Sequence, residues 1–279
     1  MRLDLALWQA AERLRAGSRG DPRLDAETLL MYALGRERAY LYTHPELELS
    51  CSDVSRYSQM LDRRLGGEPL QYITGHQQFF GLDLEVNPSV LIPRPETEHL
   101  VEAALELLRA NSAARLVDVG TGSGCIALAL AKELPHITID AVDISLAALL
   151  VARANAQRLG LNQIRFTVSD LLEIFLPDGA KFDMVVSNPP YVGESEADKL
   201  QVEVREHEPH CALFGGEQGL DIYRRLIPQA KRALKPGGWL AMEIGFSQQD
   251  AILHLLREWS EVRSIADLRG IPRVIVARS

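Results

Sequence analysis

RLVDVGTGSGCIALALAKEL, Arg115 to Leu134, decides the fold. A short apolar run ends in Gly120-Thr121-Gly122-Ser123-Gly124, and an apolar helix pattern begins at once. Strand, glycine turn and helix in that order open a parallel α/β unit, in which ligands bind beyond the carboxyl ends of the strands. Working outward, the alternation continues. HLVEAALELLRA precedes it; TIDAVD leads to SLAALLVARANAQRL, and IRFTVSD is followed by FDMVVSN. DIYRRLIPQAKRAL, GWLAMEIG and QQDAILHLLREW come next, and EVRSIADL and RVIVAR close the chain. Buried β-branched runs alternating with amphipathic helices predict a doubly wound, seven-stranded, mostly parallel sheet. The link from Arg269 to Pro272 is too short for a crossover helix, so the last strand is expected to run antiparallel.

The sheet pattern occupies residues 95–279. Residues 1–75 read as a small helical bundle. Leu3, Leu7, Ala10, Ala11 and Leu14 form one apolar stripe, Asp21-Pro22 offers a cap and first turn, and SDVSRYSQMLDRRL fits a third helix stopped at Gly66-Gly67. Residues 76–94 carry strand-like pieces around Gly81, a hairpin linker, and LIPRPETE bends the chain into the next helix.

At 279 residues and 31.0 kDa, the chain suits one large domain and one small one. No run approaches the ~18 apolar residues that read as a membrane span. The start, MRLDLALWQAAERLRAG, is amphipathic with acidic residues and does not read as a signal peptide. Cys51, Cys125 and Cys211 lie far apart, which suits a reducing compartment, the cytoplasm by default, rather than a disulfide framework or zinc cluster. A net charge of −8 lowers the expectation of tight duplex binding, which depends on neutralising phosphates.

The spacing of the glycines selects the ligand. A dinucleotide fingerprint needs glycine where Cys125 stands, and the Lys-Ser/Thr ending of a phosphate-binding loop is missing. The remaining G-x-G-x-G resembles the first motif of S-adenosylmethionine-dependent methyltransferases. A purely structural turn is the plain alternative. Asp143, about 20 residues on at the end of the next strand, is placed to accept ribose hydroxyls. Asp170 and Leu171, ending the third strand, could meet the edge and face of an adenine. Each acid alone would more often be a cap or a solvated loop residue; three such features at three successive strand ends point to a cofactor.

The fourth strand stops at Asn188-Pro189-Pro190-Tyr191. This could be a stiff turn with a packing tyrosine. In a doubly wound sheet, however, that strand ends beside the first, across from the glycine turn. An amide nitrogen is a poor nucleophile because its lone pair is delocalised. The Asn188 side-chain carbonyl and the Pro189 backbone carbonyl could grip its two N–H groups and aim the lone pair, with Tyr191 stacking on the planar group. The sequence therefore predicts a clamp for a planar NH₂ group.

The chain closely resembles the bacterial release-factor glutamine methyltransferases. The resemblance rests on GGEPLQYITG (66–75), LIPRPETE (91–98), DVGTGSGCIALALA (118–131), SNPPYV (187–192) and EPHCALFGGEQGLDIYRRLI (208–227). It implies a Rossmann-like methyltransferase that N5-methylates the glutamine of the Gly-Gly-Gln motif in class 1 peptide-chain release factors. S-adenosyl-L-methionine would be consumed and S-adenosyl-L-homocysteine released. Gly120, Thr121, Gly122, Ser123, Gly124, Asp143, Asp170, Leu171 and Asn188 would bind the cofactor. Asn188, Pro189, Pro190 and Tyr191 would bind the glutamine, with Asn188, Pro189 and Tyr191 catalytic. Some family members carry an aromatic at the position of Leu171, where this chain can offer only an aliphatic contact. The N-terminal helices would help dock the release factor.

The rival reading is an N6-adenine methyltransferase acting on DNA or RNA, with which the Asn-Pro-Pro-Tyr run is shared. Such an enzyme flips its base and usually carries a recognition domain. The residues after Tyr191 are nearly consumed by the sheet, and the first ~65 show no basic recognition helix. Both points favour a protein substrate, with no stable nucleic-acid partner and a monomer as the default. A cofactor-binding scaffold without catalysis would not need the complete clamp. His207, His210 and Cys211 read as loop residues rather than metal ligands, and Cys125 as a small buried residue. Arg94, Glu96 and Thr97 either line the pocket or fix the linker. Trp239 is expected to pack at the fifth strand.

Overall fold

The computed structural model describes residues 1–15, 17, 20–109 and 113–279. Two compact units emerge, one of residues 1–76 with 201–207 and one of residues 77–200 with 208–279.

The first unit is helical: α1 (Leu3–Arg15), α2 (Pro22–Leu34), α3 (Arg38–Thr43), α4 (Cys51–Leu65) and α5 (Leu70–Thr74). The stripe along α1 buries Leu3, Ala6, Ala10 and Leu14, with Leu7 and Ala11 half-buried at its edge. They pack with Leu29, Leu30 and Ala33 of α2 and with Tyr57 and Leu61 of α4. Asp21 caps α2 by accepting from the Arg23 and Leu24 amides at 3.0 and 3.2 Å, and Ser50 caps α4 by accepting from Asp53 N at 3.1 Å. The buried Arg64 guanidinium donates to Asp25 at 2.7 Å and pairs with Glu203 at 2.9 Å. Residues 201–207 thus return to the helical unit.

In the second unit, β1 (His76–Phe79) and β2 (Leu82–Glu85) form the two-stranded hairpin. Phe80 and Gly81 turn it with φ of 48° and 68°, the two-residue turn whose twist suits paired strands. Helix α6 (Glu98–Leu108) follows; Ala110, to which the helix pattern ran, lies outside the described residues. The order is then β3 (Arg115–Val119), α7 (Cys125–Glu133), β4 (Thr138–Asp143), α8 (Leu146–Arg158), β5 (Ile164–Val168) and β6 (Phe182–Ser187). The chain then passes through α9 (Val202–His207), which belongs to the first unit, and α10 (His210–Leu213) before α11 (Asp221–Ala233). The chain closes with β7 (Leu234–Glu243), α12 (Gln249–Leu255), β8 (Ser260–Ala266) and β9 (Pro272–Arg278).

The seven-stranded sheet runs β5-β4-β3-β6-β7-β9-β8. As expected, β9 alone is antiparallel to its neighbours. The order reverses between β3 and β6, where Val119 is in register with Ser187. The sheet therefore opens its switch-point crevice beside the glycine turn.

Strand alternation divides the core. Leu116, Met184, Val186, Ala241 and Val274 face the helices α6 and α7. Val117, Val185, Leu240, Met242 and Ile275 face α11 and α12. Burying each such aliphatic side chain stabilises the fold by about 1.5–3 kcal/mol. The same period-2 rule puts Asp118 and Glu243, one residue beyond apolar neighbours, at the carboxyl ends of β3 and β7 on the α6–α7 face. Both are almost fully buried. Among the described residues, no helix is long and apolar enough to cross a membrane.

Candidate active site

A cleft of about 330 Å³ opens at the carboxyl ends of β3 to β6, within the usual range of small-molecule sites. Its floor is the glycine turn. The Gly120 and Thr121 amides donate to Val142 O at 2.9 and 3.0 Å, and Gly122 N donates to Asp143 Oδ2 at 2.9 Å. Asp143 Oδ1 accepts from Ser145 N at 2.9 Å. Asp143 thus clamps the turn to β4, and each oxygen keeps a lone pair for another donor. Burial holds its pKa above the usual carboxylate value, opposed by these amides. Gly122 has φ of 56°, and a side chain built there would meet no atom within 4 Å. The turn leaves that space open.

Beneath it, Asp118 Oδ2 accepts from Thr121 Oγ1 at 2.7 Å and from Ala127 N at 3.3 Å, while Oδ1 is buried without a partner. Complete burial pushes this carboxyl up to about 7. Asn155, fully buried on α8, ties the turn to the hairpin. Its Nδ2 donates to Ser123 O and Glu85 O, both at 3.0 Å, and its Oδ1 accepts from Glu85 N at 2.7 Å.

The opposite wall is the Asn188 turn. Ser187 Oγ donates to Val119 O at 2.7 Å, locking the end of β6 against β3. Asn188 Nδ2 donates to Thr97 Oγ1 at 3.1 Å, and Thr97 Oγ1 donates to Glu243 Oε2 at 2.6 Å. The Tyr191 hydroxyl donates to Glu243 Oε1 at 3.3 Å. Burial pushes the Glu243 carboxyl up to about 7 and raises the Tyr191 phenol above its ordinary value.

The turn is braced from behind by residues 213–219. Val192 N donates to Leu213 O and Gly215 N to Val192 O, both at 2.9 Å, and Gln248 Nε2 donates to Tyr191 O at 2.9 Å. A Cβ on Gly215 would lie 2.4 Å from Pro190 O, so only glycine permits this approach. At the cleft's edge, Arg94 pairs with the buried Glu208 at 2.6 Å.

Comparison with known proteins identifies the lineage. Residues 6–75 match the PrmC N-terminal domain, and residues 98–206 match the methyltransferase small domain. The release factor glutamine methyltransferase of Koribacter versatilis (strain Ellin345) is 55% identical over 278 residues, covering 100% of this chain and 99% of that protein. The chain belongs to the release factor glutamine methyltransferase family. A second member, from Moorella thermoacetica, is 45% identical over 99% of this chain and 98% of its own. Among solved structures, the hMettl16 catalytic domain in complex with MAT2A 3′UTR hairpin 1 superposes with a TM-score of 0.58 at 17% identity. It covers 85% of this chain and 84% of that one, a likeness of fold.

In this family member, Gly120, Thr121, Gly122, Ser123, Asp143, Asp170, Leu171, Asn188 and Pro190 all line the cleft. Gly124, Pro189 and Tyr191 do not. Gly124 faces Leu128 and Ala152, where a Cβ would come within 3.0 and 3.2 Å; Pro189 is buried; Tyr191 lies behind the turn with its hydroxyl on Glu243. Asp170 accepts from Arg225 at 2.6 Å. Leu171 has φ of 51°, an uncommon conformation for a branched aliphatic residue. Of the open alternatives, Arg94 and Thr97 line the cleft, while Glu96 is not among its lining.

The contributors that escaped the sequence reading include Asn155, Glu243 and Glu208. Glu243 had a signal, an acid inside the apolar strand GWLAMEIG, where an unpaired charge is costly. Glu208 could have been matched to Arg94, since each sits in a segment carrying the resemblance. Asn155 had no signal in a helix of mixed polarity. Cys125 is half-buried, its thiol pushed up to about 12 by burial, and it is poorly suited to act as a nucleophile. Trp239 packs half-buried against the sheet core, with Arg263 and Arg278 over its ring. Among the described residues, no group of three His, Cys, Asp or Glu side chains could hold a metal ion.

Proposed function

We propose that this chain transfers a methyl group from S-adenosylmethionine to the side-chain nitrogen of the Gly-Gly-Gln glutamine in class 1 release factors. The observation that carries the reading is one cleft bounded by both the glycine turn with Asp143 and the Asn188 amide. The residues present suit the cofactor. Gly122 leaves open space for close approach, Asp143 retains lone pairs for the ribose hydroxyls, and Asp170 and Leu171 are available to an adenine. When bound, S-adenosylmethionine supplies a methyl group already activated on a cationic sulfur.

The chain's residues then have to orient a weak nucleophile. The Asn188 side-chain carbonyl, at the cleft wall, accepts from one N–H group of the substrate amide. The backbone carbonyl of Pro189, a residue outside the lining of the cleft, accepts from the other, pulling the nitrogen away from planarity. Pro190 and Tyr191 complete the substrate turn. These acceptors also stabilise positive charge as it develops on nitrogen, an electrostatic contribution worth about 10²–10³ in rate where single groups have been removed. The nitrogen sheds one proton after transfer, and no side chain has to remove it beforehand. In the same reading, the helical unit docks the release factor, and the enzyme works as a cytoplasmic monomer without stable nucleic-acid binding. The names of the relatives support the substrate assignment.

Purified chain given methyl-labelled S-adenosylmethionine should label intact release factor and spare both a factor with the motif glutamine replaced and DNA. Label in DNA but not in the intact factor would reverse the reading.

A further inference from the structure

With Glu243 ionised, proton counting fixes the orientation of the Asn188 amide. Thr97 has one hydroxyl proton and two neighbours: Glu243 Oε2 at 2.6 Å and Asn188 Nδ2 at 3.1 Å. An ionised carboxylate only accepts, so the threonine proton points to Glu243. Thr97 Oγ1 is then left as an acceptor, which only the NH₂ end of Asn188 can satisfy. The second carboxylate oxygen accepts from Tyr191, so Glu243 receives hydrogen bonds on both sides. A proton placed on Glu243 toward Thr97 reverses this. The threonine hydroxyl would then turn to Asn188, favour its carbonyl end, and leave the NH₂ group toward the cleft.

We propose that Glu243 is a positioning residue whose carboxylate, acting through Thr97, keeps the Asn188 carbonyl oxygen available to the substrate amide. The polarity runs in one direction, from Asn188 through Thr97 to Glu243. A donor presented in place of that carbonyl would oppose the N–H group it must receive. This role rests on the methyl-transfer reading for its purpose, but the orientation itself does not.

The surroundings of Glu243 make the relay sensitive to pH. Burial is the main cause of its raised pKa, with the Thr97 and Tyr191 hydroxyls opposing it; Glu96 raises it further and Arg273 lowers it. Cys125 feels the Glu243 charge, and the Tyr223 hydroxyl donates to the Glu243 backbone carbonyl at 2.8 Å. The ionised form predominates above about 7, so the competent orientation gains population as pH rises through that value.

The test uses full-length chain with ¹⁵N-labelled asparagine, the Asn188 side-chain signal being assigned by its loss in Asn188→Ala. In the wild type, this NH₂ signal should shift in one step near the Glu243 pKa. Thr97→Val, similar in shape but without the hydroxyl, should abolish the step, and Thr97→Ser should restore it. Alongside, kcat should fall at least about tenfold in Thr97→Val with KM for release factor within about threefold, and return in Thr97→Ser. Each variant is compared at equal thermal stability, so a folding defect is read separately. An Asn188 signal insensitive to pH in the wild type, or a step that survives Thr97→Val, would overturn the inference. A wild type that shows the step but labels no release factor would overturn the functional reading alone.

Discussion

At Asn188 the local sequence says only that an amide meets two prolines; its chemistry depends on what each end of that amide touches. Thr97 occupies the nitrogen end, so removing the side chain deletes an acceptor without disturbing the glycine turn. Asn188→Ala is expected to lower kcat by about 10² or more while S-adenosylhomocysteine binding stays measurable by calorimetry. Near-normal turnover would sink the clamp. Asp118 gives a different prediction. Its folded pKa, about 7, lies above the ordinary 3.8, so the folded state binds this proton more tightly than the unfolded chain. Stability from this group is therefore greatest below 3.8, falls as pH rises toward 7, and is level above. Asp118→Asn carries no charge there. The wild-type-minus-variant stability gap should shift by about 2 kcal/mol toward the variant between pH 5 and 8. Parallel urea-unfolding curves at the two pH values would refute the assignment.

Elements act here by bringing backbone close to backbone. The glycine turn and residues 213–219 press on the cleft from opposite sides, and two substitutions separate their effects. Gly122 sits at positive φ with open space before it, so Gly122→Val adds strain and fills the cleft. It should weaken cofactor binding at least about tenfold, with much of the loss coming from the left-handed backbone a branched residue resists. Gly215→Ala drives a methyl against Pro190 O instead. It should displace the Asn188 turn, lowering turnover while cofactor affinity is largely kept. Calorimetry and single-turnover transfer on the two variants should show opposite patterns; identical patterns would mean that the two segments do not act separately.

For the whole molecule, the chain path matters. It leaves the helical unit after residue 76, builds most of the sheet, returns for residues 201–207, and leaves again. Arg64 holds that return by pairing with both Asp25 and Glu203, at 6% exposure of its own. Arg64→Met takes the guanidinium away from two carboxylates, Asp25 and Glu203, and should cost about 3 kcal/mol, read as a lower urea midpoint. Adding Asp25→Asn should recover part of that loss, because one of the two carboxylates facing the lost guanidinium is then neutral. Additive losses would show that the arginine contributes packing alone.

Much of this organisation was legible along the chain. Strand runs, glycine turns and proline stops are local signals, since period and backbone dihedrals depend on neighbouring residues. They sufficed for seven strands, the antiparallel last one, the glycine turn and the Asn-Pro-Pro-Tyr stop. The strand lengths were less legible: β7 begins at Leu234, before the glycine pair where GWLAMEIG was expected to start, because pairing with Phe182 extends it past a bulge.

What only the tertiary structure decided is which distant groups meet. Thr97, Asn188 and Glu243 come from three elements separated by 91 and 55 residues along the chain, the first separation being that of their hydrogen bond. Their meeting depends on β3 and β6 being neighbours, on β7 following, and on strand alternation turning Glu243 to the α6–α7 face. The sequence by itself determined that an amide would stand opposite a glycine turn. Folding decided which end of that amide is held, because a hydrogen bond's direction depends on the partner's protons, and those partners lie elsewhere in the chain.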